Sequence, residues 1–120
     1  MAKTASKEVD RSDWRKLFEL ASLGYRDEDV TIEILSDDLG DQLEAERLPL
    51  FAITYDDKDD AVVISVGGKD RRYPVVLRHI IHHPQKILAD DLPPEIPWVF
   101  EIVDPDGVQA LVTVYKRGAA

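Results

Sequence analysis

The sequence predicts an α+β fold, with an N-terminal helix packed on an antiparallel meander of about six strands. Three observations carry this. Trp14, Leu17, Phe18 and Ala21 stand at i, i+3, i+4 and i+7, a single apolar stripe near the start of the chain. From Asp29 onward the apolar period falls to two, in runs rich in β-branched residues. Short turn clusters separate those runs, and short connections join antiparallel neighbours. A small, curled and partly open β-barrel is the alternative architecture.

Each element has its own signal. Ser12 reads as the helix N-cap, Asp13 complements the positive helix end, and Gly24 reads as the residue just past the C-terminus. A three-turn helix over residues 13–23 is too short to persist alone, so its stripe must dock on the sheet. Val30, Ile32 and Ile34 alternate with Thr31, Glu33 and Leu35 as a half-buried strand, which ends in the Ser36–Asp41 turn cluster. Gln42–Arg47 mixes helix-forming composition with alternation, and its place after a turn favours a strand. Pro49 marks an edge, a bulge or a strand start, and Leu50–Tyr55 is a firm strand. Ala61–Val66 reads as a central strand closed by Gly67-Gly68, and Tyr73–His82 as the next, broken by His83-Pro84-Gln85. Lys86–Ala89 is a short strand before a proline-rich loop. Trp98–Val103 and Val108–Tyr115 form a hairpin about Asp104-Pro105-Asp106-Gly107. One domain over 12–116 is expected, with tails at 1–11 and 117–120.

The 120 residues carry 44% hydrophobic and 32% charged side chains, the balance of a globular protein with a real core. No apolar run reaches the ~20 residues of a membrane span, and no signal peptide opens the chain, so a cytoplasmic location without membrane contact is expected. The absence of cysteine excludes disulfides, thiolate metal sites and a thiol nucleophile. The net charge of −9 disfavours nucleic-acid binding. That charge is segregated: residues 27–60 carry −11 and residues 61–86 carry +4.

Candidate chemistry is sparse. His79, His82 and His83 cluster, but on a strand His79 and His82 point to opposite faces, and no neighbouring acid completes a zinc set. Asp56, Asp57, Asp59 and Asp60 surround Lys58 in a turn that lacks the glycine and distal glutamate of a calcium loop. Gly67-Gly68-Lys69 lacks phosphate-loop spacing, and no serine sits in a nucleophile elbow. Lys69, Arg71, Arg72 and Arg78 form a basic patch, expected to pair with the acidic 27–60 stretch. Trp98 reads as a core residue at a strand start.

The string Leu39-Gly40, Gln42, Glu44-Ala45, Leu48-Pro49-Leu50, Ile53-Thr54-Tyr55-Asp56, Lys58-Asp59-Asp60 and Gly67-Gly68 resembles a small bacterial family, domain of unknown function 5335. Trp14 and Phe18 upstream, and His79, Pro84 and Asp106-Gly107 downstream, extend the resemblance over residues 12–115. The Pro-rich residues 92–97 are a local departure from it. The resemblance implies a single-domain soluble bacterial protein and brings no activity, cofactor or catalytic residue. The expected function is a non-catalytic module, without cofactor, that binds a partner protein or itself. It would use a sheet edge or an acidic face, with Asp56, Asp57, Asp59, Asp60, Arg71 and Arg72 as contact residues. A small-ligand or metal site at His79, His82 and His83 is the alternative.

Overall fold

The computed structural model describes residues 5–38, 40–68 and 74–117. A 3-10 turn over Arg11–Asp13 leads into helix α1, Trp14–Gly24. The strands are β1 (Asp29–Ser36), β2 (Gly40–Asp56), β3 (Ala61–Gly67), β4 (Val75–His82), β5 (Lys86–Ala89), β6 (Trp98–Val103) and β7 (Gln109–Tyr115). All pairings are antiparallel, in the order β4-β3-β2-β1-β7-β6-β5. The helix-on-sheet expectation holds. The single meander becomes two, β1–β4 and β5–β7, joined along β1 and β7.

The connection between β4 and β5 dictates the shape. These strands stand at opposite ends of the order, which in a flat sheet would set them roughly 29 Å apart. Only residues 83–85 join them, and the step from His82 to Lys86 spans at most roughly 14 Å. The sheet therefore curls until its ends approach, yet they do not pair and it stays open. The bend runs through β2. Its first half pairs with β1 and its second half with β3, with register shifts on both sides of Pro49 and Arg47 in the left-handed region at φ 53°.

The concave face holds the core. Trp14, Leu17, Phe18, Ala21 and Tyr25 pack against Val30, Ile32, Ile53, Ile64, Trp98, Phe100 and Val112. Tyr25 stacks on Trp98 at 5.3 Å, and Phe18 meets Phe100 at 5.5 Å. Trp98 is fully buried, and its indole N–H donates to the Asp91 carbonyl at 2.8 Å. Where β2 leaves β1, α1 takes over: the Ser22 hydroxyl donates to the Ile53 carbonyl and accepts from the Ile53 N–H, at 2.8 and 2.9 Å.

Three local expectations are corrected. Asp10, not Ser12, caps the helical entrance, because the 3-10 turn moves the first free N–H upstream; Asp10 Oδ1 accepts from Ser12 N and Oγ. Gly24 is the last helical residue, and the helix closes through the Tyr25 N–H on the Ala21 carbonyl. Residues 5–11 do not trail as a tail. Val9 N–H donates to the Ile87 carbonyl, Ala89 N–H donates to the Lys7 carbonyl, and Glu8 bridges Leu88. Asp90 Oδ1 accepts from the Ser6 and Lys7 N–H groups at 2.9 and 2.7 Å. The outer edge of β5 is thus covered.

Candidate functional site

The acidic turn between β2 and β3 is largely occupied from within. Asp56 Oδ1 accepts the Lys58 and Asp59 N–H groups, and Asp57 pairs with Arg15 at 3.5 Å. Asp60, in the left-handed region at φ 50°, centres a network. It accepts the Tyr55 hydroxyl at 2.7 Å and Arg11 Nη1 at 3.3 Å, and lies 3.3 Å from His83 Nδ1. Arg11 also donates to the Pro84 carbonyl at 3.0 Å and stacks 4.2 Å from the Trp14 ring. The Tyr55 hydroxyl, with His83 and Arg11 behind it, holds the Asp60 carboxyl below its ordinary pKa against a desolvation penalty. The network ties the N-terminal segment to two turns.

The charge pairing differs from the expectation. Arg71 and Arg72, with Lys69, lie outside the described residues. Of the described cations, Arg11, Arg15, Arg47 and Arg117 neutralise the acidic stretch; Asp29 lies 3.8 Å from Arg47 Nη1 and 3.0 Å from Arg117 Nη1. Arg47 lies within the acidic stretch, Arg117 follows β7 beside β1, and Arg11 and Arg15, at the start of the helical segment, meet the turn between β2 and β3. Arg78 is exposed on the outer face of β4.

The three histidines border one cleft but sit differently in it. His83 is held by Asp60 and His82 is exposed at the strand end, while His79 looks into the concavity from β4. Among the described residues no three His, Asp or Glu side chains are placed to hold a metal ion. His79 instead forms one wall of a cleft of about 370 Å³, with Ile81 on the same strand and Ile34, Ile102, Val108 and Ala110 opposite. Burial depresses the His79 pKa, and Glu44 partly offsets this.

The cleft follows from a taper in the core. Three rungs cross β1, β7 and β6 on the concave face: Val30–Val114–Trp98, Ile32–Val112–Phe100 and Ile34–Ala110–Ile102. On β6 the side chains shrink along that series, from Trp98 to Phe100 to Ile102, and on β7 valine gives way to Ala110. The first two rungs meet the aromatic face of α1, whereas the third, with alanine at its centre, leaves a hollow under β4.

Two further features stand out. Among the described residues β4 has no partner on its outer edge, and Val76 is 71% and Ile80 47% exposed. On the convex face of β6, Glu101 is 5% exposed, flanked in register by Leu88 and Leu111. Burial, with Asp90 nearby, raises its carboxyl pKa. The sequence carried a signal for Glu101, a lone acid inside Val99-Phe100-Glu101-Ile102-Val103. It carried none for the cleft, because a residue as small as Ala110 matters only through its neighbours across the strands.

Fold and cleft together define a small α+β domain whose helix closes one part of an open, curled sheet. The chain belongs to the Family of unknown function (DUF5335), whose model matches residues 5–120. It is 28% identical over 110 residues to an uncharacterised protein of Aquifex aeolicus, covering 92% of each chain. No solved structure matches it. No helix of the described residues is long and apolar enough to cross a membrane.

Proposed function

We propose that this domain is a non-catalytic interaction module that receives an extended segment of a partner protein along β4. The observation that carries the reading is the contrast between the two sheet ends. β5 is covered by residues 7–9, while β4 is bare and shows Val76 and Ile80 to solvent. An uncovered edge is a template for strand addition. The His83 N–H donates to the Asp60 carbonyl. By antiparallel alternation, Arg78, Ile80 and His82 then turn their backbone groups to the open side, beyond the register shift at Val76. With Val76, their side chains line one face in alternation of apolar and polar, which suits a strand whose every second residue is in turn apolar and acidic.

Selection from a random twelve-residue peptide library on the wild-type protein tests this, with the double variant V76D/I80D as the comparison. Extended peptides whose every second residue is in turn apolar and acidic should be enriched, and should lose binding to the variant while its melting temperature is retained. Peptides that bind both proteins equally, or an empty selection from a protein that sediments as a monomer, would overturn it. A wild-type dimer that the variant dissolves would identify a second copy as the occupant.

A further inference from the structure

We propose that the cleft beneath β4 is a binding site for a small, mainly apolar molecule carrying one uncharged hydrogen-bonding group. Its body would rest on Ile34, Ile81, Ile102 and Ala110, and its polar group on the His79 imidazole.

Size, lining and charge each narrow the ligand. The volume of about 370 Å³ falls at the small end of the ~300–1,000 Å³ usual for small-molecule sites. Liquid water would fill it with about a dozen molecules. Water against isoleucine and alanine walls forgoes hydrogen bonds, so its displacement by an apolar body is favourable. The hollow is a property of the fold rather than of a loose side chain, since Ala110 is flanked in register by Ile34 and Ile102 on strands paired along their length.

The polar part of the recognition falls to His79. It is half-buried, and no hydrogen bond joins its ring to another described residue. A neutral imidazole offers one donor and one acceptor nitrogen, so it complements an alcohol, phenol or amide. His83 is already engaged by Asp60. The surroundings reject anions. Glu44 acts on His79, Asp104 and Asp106 stand at the rim, and the chain carries −9 overall. Asp104 Oδ1 accepts the Asp106 and Val108 N–H groups, so it shapes the rim instead of reaching inward.

The site uses the concave face of β4 and is bordered by Ile80, whereas Val76 stands outside its lining. Four probes of similar shape test it: benzyl alcohol, its apolar counterpart toluene, and the charged benzylamine and benzoate, titrated into the full chain and followed by amide and methyl NMR shifts. Benzyl alcohol should bind in the roughly millimolar range expected for eight heavy atoms, with intermolecular NOEs to the Ile34 and Ile102 methyls. Benzoate should bind at least tenfold more weakly. A110L should fill the hollow and abolish the shifts. H79F should remove the preference for benzyl alcohol over toluene. V76D, outside the lining, should bind as wild type. Should A110L fail to fold, the NOEs locate the probe without any substitution. Absence of NOEs to the cleft methyls, or benzoate binding as tightly as the alcohol, would overturn the proposal.

Discussion

At the scale of the residue, charge is placed where the fold uses it, and the one costly placement is Glu101. Its carboxyl is nearly enclosed between Leu88 and Leu111, and burial raises its pKa. The native state then holds the proton more tightly than the unfolded chain does, so stability falls as pH rises from the ordinary carboxylate range through the raised pKa. E101Q should therefore stabilise the protein at pH 7 by on the order of 1 kcal/mol. The gain should vanish as pH falls to about 4. Thermal melts of both proteins across that range check it, and a gap independent of pH would contradict it. Asp60 is the converse: Tyr55, His83 and Arg11 reach it from three parts of the chain. The acidic turn was plain in the sequence, but its role was not, because those partners are set by folding and not by spacing.

At the scale of the element, local chemistry was the better guide. Strand runs, turn clusters and the helical stripe were legible because period and turn residues are properties of the chain itself. Gly67-Gly68 was legible as the close of β3, and the structure gives the reason. Gly67 lies at φ 94°, and a Cβ there would stand 2.6 Å from the Val76 nitrogen. G67A should cost roughly 2–4 kcal/mol, since backbone cannot yield as a side chain can. Chemical denaturation measures it, and a loss under about 0.5 kcal/mol, the range of a neutral surface change, would be inconsistent with the close approach. What local chemistry could not convey was the bend in β2. Pro49 announced an irregularity, but the change of partner from β1 to β3 depends on the whole sheet.

At the scale of the molecule, the two ends of the sheet are treated differently, and this was not visible beforehand. Residues 1–11 are polar and carry no strand signal, yet the segment from Ser6 to Val9 is fastened to β5 and Asp90. Deleting residues 1–9 should remove the Asp90 contacts and uncover the β5 edge, at a cost of about 2 kcal/mol. Sedimentation should then show association that the full chain lacks; a stable monomer of unchanged melting temperature would refute the covering role. The join between β1 and β7 sets a further condition on how the protein is made. β1 lies at the middle of the finished sheet, but its partner Gln109–Tyr115 is the last of the seven strands to leave the ribosome. At ordinary elongation rates the gap is on the order of 10 s. For that time the first four strands can assemble hairpin by hairpin, while the seam of the future sheet stands bare beside every other nascent chain.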